Sequence, residues 1–487
     1  MQYLIRPHAE PAGRIELRLA VAAGSIHENK DQLGGAHFVE HMAFNGTRNF
    51  PGNRLIQVLE SFGMRFGPDL NATTDYDTTT YRLSVPTDDP EKLRVALQIL
   101  EDWTQHLLFD PEEVDKERGV VLDEFRLRTS RGDAMITSGS REIFWGTRYA
   151  ERIPLGTQES IQEMSRESLA DFYRSWYHPD RTTVVAVGDL DPEQLEVEII
   201  ERFSNWSATS RAAKEPERFP RPSEKDRIVL GQVSADSSGT FDIRFIAENP
   251  IEPLTKARYR RILLDRFSFH LLWIVALDGL ERSLLSADYP RRVEVLGFYG
   301  ELPEFENALR QLEGIRRYGF PASYIEEKKR GYLRGLSGAL ASSSAGLADA
   351  YMMHLVMEND QPVDTAQLEL ARTLLADLDA EEVNRRVAGW LASEGRILKA
   401  GLPAGSSESA DSLRSMAERV ARGDAPRFAV ATPKRKAPAE IPIPEITAEI
   451  VERTRLEDLG LETWRLSNGA EVTVKAGLDR GGTSLWA

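Results

Sequence analysis

The stretch Gly34–Thr47, which reads GGAHFVEHMAFNGT, decides how the rest of the chain is interpreted. It contains His37, Glu40 and His41 in the order His-x-x-Glu-His. Residues four apart lie on one face of an α-helix, because a helical turn takes about 3.6 residues. Two imidazoles on one face can bind one metal ion, most often zinc, and the glutamate between them lies beside the same ion. The stretch therefore predicts a helix that carries part of a metal site.

The surroundings of the motif favour this interpretation over a plainer one, in which two surface histidines and a glutamate keep a helix in solution. The chain has only 8 histidines, and two of them stand at ligand spacing. Asn45-Gly46 follows the motif as a typical helix stop. Most other positions of the stretch are apolar, which predicts a helix buried almost all round. Buried imidazole and carboxylate groups need partners, and a metal ion would supply one.

Composition restricts the class of protein. A chain of 487 residues is too long for one hydrophobic core, so we expect about two to four domains. The formal net charge of −16 argues against a nucleic-acid partner, which requires basic patches. The sequence has no apolar run of about eighteen residues, which predicts no membrane span. Cysteine is absent, so a zinc site has to use histidine and carboxylate ligands.

An internal repeat predicts a duplicated fold. Phe109–Arg118 (FDPEEVDKER) is echoed by Phe320–Lys329 (FPASYIEEKK), and each segment follows an amphipathic helix. Each block closes with a strand, a glycine and a helix, although helical heptads can imitate such echoes. We therefore expect an α+β fold with two duplicated α/β sandwich domains, each an antiparallel sheet packed with helices.

Two polar, proline-containing stretches divide the chain further, because such composition is typical of linkers. The predicted domains are a catalytic zinc-binding domain at 1–206, a linker at 207–225, a duplicated domain without a metal site at 226–432, an interdomain linker at 433–461, and the start of a third, truncated domain at 462–487.

The third metal ligand is expected on the predicted helix that begins at Pro111. A catalytic zinc site uses three protein ligands and leaves one position open. Glu117 and Glu124 lie seven residues apart, hence on one face of that helix. In the second copy the aligned residues are Lys328 and Gly335, so the acids are absent where the histidine motif is absent. This covariation within one chain predicts that the acids and histidines form one site, whereas the alternative is a solvated acidic helix face.

With His37, His41 and Glu124 on zinc, the predicted chemistry is hydrolysis. A zinc ion would polarise a carbonyl group and activate a water molecule. Glu40 would take a proton from that water and later pass it to the leaving amine. Glu117 would act from outside the ligand shell, orienting a ligand or tuning charge.

Several segments together resemble the pitrilysin/insulinase family of zinc metallopeptidases. They are Gly35–Thr47, Asn71-Ala72-Thr73, Glu117–Glu124 (ERGVVLDE), Tyr177-His178-Pro179 and Val187–Leu190. The resemblance implies that His37 and His41 bind the metal, with Glu40 as the general base. It further implies Glu124 as the distal ligand and Glu117 as an auxiliary acid. The spacing from His41 is longer than usual for the family at Glu124, which makes Glu117, 76 residues after His41, its rival.

The resemblance also implies substrate contacts and partners. Phe44 would line the pocket beside the scissile bond, and Asn71 and Ala72 would belong to an edge strand that pairs with an extended peptide. The family folds into two halves that close like a clamshell around unfolded peptides, and this chain corresponds to the N-terminal half. Full activity would then need a C-terminal half or a partner subunit. Bacterial relatives are often exported to the periplasm, with the cytoplasm as the alternative location here.

A different interpretation of the same resemblance is a binding or processing subunit without turnover. Such subunits of the family have usually lost the metal motif, whereas this chain retains it. A zinc deaminase is a further alternative, but it would use a pair of cysteine ligands, and the chain has none.

Overall fold

The structure is a computed structural model. It describes residues 1–128, 147–207, 214–216, 226–248, 255–275, 281–285, 293–338, 343–357, 365–392, 395–428, 449–456, 461–476 and 483–486. The chain divides into two compact units, Met1–Ala429 and Val430–Ala487. None of the helices in these ranges combines the length and the apolar character that crossing a bilayer requires.

The first sheet of the larger unit has five strands in the order β1-β5-β2-β4-β3. They are β1 (Gln2–Pro7), β2 (Arg14–Val21), β3 (Leu70–Thr74), β4 (Thr79–Pro86) and β5 (Thr182–Gly188). All neighbours are antiparallel except β1 and β5, which run parallel. The expected antiparallel sheet is thus mixed at one edge, because alternation along a strand does not specify the direction of a partner about 180 residues away. At the other edge lies β3.

Helices pack on one face of this sheet. They are α1 (Gly35–Met42), α2 (Arg54–Ser61), α3 (Pro90–Gln105), α4 (Pro111–Arg128), α5 (Arg148–Glu151), α6 (Gln158–Glu163), α7 (Arg166–Trp176) and α8 (Pro192–Phe203). Helices α4 and α8 each begin at an Asp-Pro pair, and α4 is the helix predicted to begin at Pro111: Asp110 Oδ1 accepts the N–H of Glu112, and Asp191 Oδ1 accepts the N–H of Glu193. Leu17, Leu19 and Tyr81 of the strands form one core with Phe38 and Trp103 of the helices.

The second sheet repeats the topology of the first. Its order is β6-β10-β7-β9-β8, with β6 parallel to β10. Its strands are β6 (Arg227–Gln232), β7 (Thr240–Glu248), β8 (Glu281–Leu285), β9 (Val293–Glu301) and β10 (Ile397–Leu402). Strands β6 to β10 take the same places in this sheet as β1 to β5 take in the first sheet, which confirms the duplication.

The helices of the second copy follow the same plan. They are α9 (Lys256–Ile274), α10 (Phe305–Tyr318), α11 (Ala322–Gly338), α12 (Ser344–Met357), α13 (Thr365–Ala376), α14 (Ala380–Leu391) and α15 (Ala410–Arg422). Helix α11 follows α10 as α4 follows α3, in agreement with the echoed segments. A separate apolar core holds this copy together.

One helix of the second copy packs on the sheet of the first copy. Leu347, Ala348 and Tyr351 of α12 are buried in one cluster with Ala20 of β2 and Val185 of β5. An ion pair crosses the same contact: Arg18 Nε lies 2.7 Å from Asp349 Oδ1. The Arg18 side chain is only 5% exposed, so it needs this partner in addition to Glu16.

The smaller unit contains an antiparallel sheet in the order β11-β12-β13-β14. Its strands are β11 (Ile450–Leu456), β12 (Leu461–Leu466), β13 (Glu471–Ala476) and β14 (Thr483–Trp486). Strand β11 lies inside the range 433–461 that we predicted as a linker, and it pairs with β12. Its side chains at 451–455 are exposed, so no apolar periodicity marked it as a strand. Residues 433–448 and most of 207–225 lie outside the described residues, and the domain boundaries stay predictions.

Replacing Asp349 by asparagine should lower the free energy of unfolding by about 1–2 kcal/mol, because the buried Arg18 guanidinium loses a charged acceptor. Chemical unfolding followed by circular dichroism measures the change. Asp411→Asn is the control, since Asp411 pairs with Arg414 on the surface with its side chain 92% exposed. Equal effects of the two substitutions would contradict the role assigned to the Arg18–Asp349 pair.

Candidate metal centre

Helix α1 is buried on nearly every side, as its apolar sequence predicts. His37 and Glu40 are each 7% exposed, and His41 is half-buried. Helix α3 holds the end of α1: Trp103 Nε1 donates to the carbonyl oxygen of Ala43 at 2.9 Å. The fully buried Asp102 accepts hydrogen bonds from Thr47 Oγ1 and from the N–H of Asn49, which holds the loop after the helix.

Helix α4 brings Glu124 to the two imidazoles. His37 Nε2 and His41 Nε2 are 3.3 Å apart. Glu124 Oε2 lies 3.6 Å from His37 Nε2 and 3.3 Å from His41 Nε2. These three atoms form a donor triangle, although 83 positions separate His41 from Glu124 in the sequence.

The size of the donor triangle fits zinc. A tetrahedral zinc ion with ligand distances of about 2.0–2.1 Å separates its donor atoms by about 3.3–3.4 Å. The three observed separations lie at this value or 0.2–0.3 Å above it, within a small side-chain adjustment. Two imidazoles and one glutamate are also a donor set that catalytic zinc sites use, with a fourth position left open. The residues therefore fit the metal that the motif implies.

Glu117 contacts the other face of the histidine pair. Its Oε1 lies 2.7 Å from His41 Nδ1, the ring nitrogen that is not part of the donor triangle. The two nitrogens of an imidazole point in different directions, so Glu117 orients His41 and cannot share an ion with its Nε2. This geometry favours Glu124 over its rival Glu117 as the distal ligand.

The charges of the site are strongly coupled. Burial, together with the smaller effect of the neighbouring His41, lowers the pKa of His37 to about 3. The hydrogen bond from His41 lowers the pKa of Glu124 to about 2, although burial opposes this. Burial disfavours the charged form of His41, but hydrogen bonds to Glu117 and Glu124 raise its pKa to about 10. The carboxylates thus hold positive charge between them, which a divalent cation would also provide.

Glu40 has the properties of a group that exchanges protons near neutral pH. Burial raises the pKa of its carboxyl to about 7, against the lowering effect of a hydrogen bond. That bond comes from Thr74 Oγ1, which donates to Glu40 Oε2 at 2.7 Å. A carboxyl with a pKa near the working pH is suited to accept a proton and then release it.

The site opens into a cavity of about 340 Å³. Its lining residues are His37, Glu40, His41, Phe44, Phe66, Asn71, Ala72, Thr73, Thr74, Glu124, Arg128, Pro154 and Leu155. Phe44, Asn71 and Ala72, the residues expected to contact substrate, are among them, whereas Glu117 is not.

Sequence reasoning gave no site role to six lining residues: Phe66, Thr73, Thr74, Arg128, Pro154 and Leu155. Phe66 is 57% exposed and meets Phe44 edge to face at 5.6 Å. Arg128 donates to Glu124 Oε1 at 2.7 Å, and so orients the carboxylate. A signal existed only for Arg128, which stands four residues after Glu124 on the same helix.

Two family models match the chain. The one described as Insulinase (Peptidase family M16) matches residues 3–140, and the one described as Peptidase M16 inactive domain matches residues 163–238. Residues 3–140 thus carry the pattern of the insulinase family. The first match contains the donor triangle, Glu40 and Glu117, so the metal centre lies within the part of the chain that carries the family pattern.

Curated relatives are named as zinc proteases. The chain is 36% identical over 276 residues to the probable zinc protease PqqL of Haemophilus influenzae, covering 56% of this chain and 29% of that protein. It is 28% identical over 486 residues to the zinc protease PQQL-like of Arabidopsis thaliana, covering 97% of this chain and 48% of that protein. Each match covers less than half of the relative's own length.

Solved structures share the fold. The first half of the periplasmic protease PqqL from Escherichia coli matches with a TM-score of 0.72 at 23% identity, covering 88% of this chain and 96% of that chain. The longer PqqL structure matches with a TM-score of 0.72, covering 98% of this chain and 55% of that chain. The chain therefore has the fold of the first half of the E. coli PqqL structure.

Replacing Glu124 by glutamine should lower the affinity for zinc by more than about 100-fold, since changes outside the ligand shell typically cost about 10–100-fold. Titration against a competing chelator measures the affinity. The matched control is Asp123→Asn, because Asp123 is the neighbouring acid, 71% exposed and bonded to Arg126. Unchanged zinc affinity of the Glu124→Gln variant would remove Glu124 from the ligand set.

Proposed function

We propose that the chain is a zinc-dependent endopeptidase that hydrolyses peptide bonds of extended or unfolded peptides. One observation carries the proposal: a donor triangle of zinc dimensions and the buried carboxyl of Glu40 face the same cavity. Proteins of the insulinase family named above as zinc proteases support the same conclusion.

His37, His41 and Glu124 would hold the zinc ion. When bound, the ion supplies a Lewis acid for the substrate carbonyl and lowers the pKa of water. Glu40 accepts the proton of the attacking water at its carboxylate and transfers it to the nitrogen of the leaving amine. The Thr74 hydroxyl keeps Glu40 Oε2 oriented during both transfers.

Two residues outside the donor triangle orient the ligands. Glu117 accepts a hydrogen bond from His41 Nδ1, which directs His41 Nε2 toward the donor triangle, where a bound metal ion would replace its proton. Arg128 binds Glu124 Oε1, which leaves Oε2 directed at the histidines. Each contact restricts the orientation of a ligand side chain before the ion binds, so less conformational entropy is lost on binding.

The substrate is expected to bind along β3. In the sheet as described, β4 is the one neighbour of β3, so the outer side of β3 offers backbone hydrogen bonds to an extended peptide. Asn71 and Ala72 of this strand line the cavity together with Glu40, so a peptide bound along β3 would pass near the reacting groups. Phe44 and Phe66 present an aromatic surface to the substrate side chains.

The partners follow from the length of the relatives. Since the chain spans about half of the Arabidopsis relative, we propose that a C-terminal half or a partner subunit completes the substrate site. The E. coli structures are described as those of a periplasmic protease, and we propose the periplasm for this chain. A subunit without turnover is not favoured, because the ligand set and Glu40 occur together.

Replacing Glu40 by glutamine should leave zinc affinity within about threefold of wild type and lower kcat by about 10²–10⁴-fold, because the proton acceptor is lost and the ligands are kept. Hydrolysis of a fluorogenic peptide and metal analysis of the same sample measure both quantities. Glu60→Gln, an exposed position on α2, is the control. A variant that cleaves at the wild-type rate would exclude Glu40 as the base.

The chain alone should bind zinc and cleave peptides slowly, and adding the complementary half from a full-length homologue should raise kcat/KM at least about tenfold. The expected gain is the binding energy that additional substrate contacts supply to the transition state. An unfolded protein substrate and a fluorogenic peptide test both forms. Activity of the chain alone that equals the reconstituted activity would contradict the need for a second half.

A further inference from the structure

The first turn of α1 lacks a cap of its own. Gly34 precedes the helix with a φ of 85° and has no side chain to accept a hydrogen bond. Instead, Glu28 accepts two: the N–H of Gly34 donates to its Oε2 and the N–H of Ala36 to its Oε1, both at 3.0 Å. A carboxyl group six residues before the N-cap position thus does what Ser, Thr, Asp or Asn does at ordinary helix starts.

Close packing explains why Gly34 cannot carry a capping side chain. A Cβ on Gly34 would lie 3.2 Å from the Gly156 Cα and 3.2 Å from the Leu155 carbonyl oxygen. A Cβ on Gly156, whose φ is 66°, would lie 2.8 Å from the Gly34 Cα. The backbone around Gly156 therefore rests directly on the start of α1. Because Pro154 and Leu155 line the cavity, this contact joins the cavity wall to the metal helix.

Glu28 is bonded to the same wall segment. Arg148 and Arg152, at the two ends of α5, donate to the carbonyl oxygen of Glu28 at 2.5 and 3.0 Å. Ser25 Oγ donates to the carbonyl oxygen of Arg152 at 2.6 Å. The Glu28 side chain has no exposed surface, and burial raises the pKa of its carboxyl to about 8, although the N–H groups of Ala36 and Gly34 oppose this. Burying a carboxyl group costs more free energy than burying the hydroxyl of an ordinary Ser or Thr cap. The presence of Glu28 here therefore indicates a role beyond capping the helix.

The second copy provides an internal comparison. Helix α9 follows β7 as α1 follows β2, but it carries no metal ligands. Its cap is ordinary: Thr255 Oγ1 accepts the N–H of Arg258 at 3.1 Å. The chain thus uses a local threonine cap where the helix has no ligands to hold, and the buried Glu28 where it does.

We propose that Glu28 is a positioning residue for the metal centre: it holds the first turn of α1 against the segment Arg148–Gly156, and so sets the distance between the α1 histidines and Glu124 of α4. The proposal rests on the proposed function only in taking His37 and His41 as zinc ligands. His37 directly follows Ala36, whose N–H Glu28 binds, so a movement of the first turn changes the donor triangle.

Glu28→Gln tests the proposal with little change in volume. Glutamine keeps one acceptor and presents an NH₂ group to the second backbone N–H, so one of the two bonds is lost. We expect the Kd for zinc to rise about 10–100-fold, in the range of changes outside a ligand shell. Chelator competition measures it at a temperature where circular dichroism shows the variant folded. The matched control is Thr255→Ala, which should lower the melting temperature and leave the Kd for zinc unchanged.

Each outcome is decisive. A folded Glu28→Gln variant with the wild-type Kd for zinc and only a lower melting temperature would show a purely structural cap and overturn the proposal. If that variant does not fold, Arg148→Gln takes its place, since it removes only the bonds to the carbonyl oxygens of Ile26 and Glu28. A severalfold higher Kd supports the proposal, and a wild-type Kd overturns it. Failure of the wild type to bind zinc would instead refute the proposed function.

Discussion

The arrangement of the first copy depends on the contact between α1 and α4, where imidazoles and carboxylates are buried together. His41 between Glu117 and Glu124 satisfies both acids, and Glu124 reaches His37 as well. Each of these groups alone would pay a large desolvation penalty in this position. Together, their mutual electrostatic attraction offsets this desolvation penalty, and their arrangement leaves a position that a divalent cation can occupy. In the second copy, Lys328 and Gly335 stand at the aligned positions of α11, so both acids are replaced there.

The geometry of such a site depends on the contacts that hold its helix in place. Helix α1 is held at its end by Trp103 and, in the following loop, by Asp102, both from α3. It is held at its start by Glu28, which is itself bonded to Arg148 and Arg152. These contacts come from segments before and after the motif, so the eight-residue helix is fixed between elements of the larger core rather than by its own hydrogen bonds. Such short helices are marginal in isolation.

In the duplicated fold, the first copy carries the candidate metal site and the second copy packs against it. Both copies have the same strand order, yet the described donor cluster lies in the first copy alone. The second copy contributes α12 to the outer face of the first sheet, where Arg18 pairs with Asp349 across the contact. Substitutions in the second copy can therefore weaken the first copy without touching the proposed metal ligands.

The sequence alone determined the features that local periodicity encodes: the helix that carries the histidine motif, the helix that begins at Pro111, and the repeat. It also placed His37, Glu40 and His41 together, since helical spacing brings them to one region. Helical spacing could not choose between Glu117 and Glu124, because residues seven apart share a helix face, and the preference for Glu124 came from the family pattern. Only the position of α4 against α1 separates the two acids, one on each nitrogen of His41. Tertiary structure likewise decided the parallel β1–β5 pair and brought Phe66, Pro154 and Leu155 to the cavity, because no local pattern links residues that meet only when the core closes.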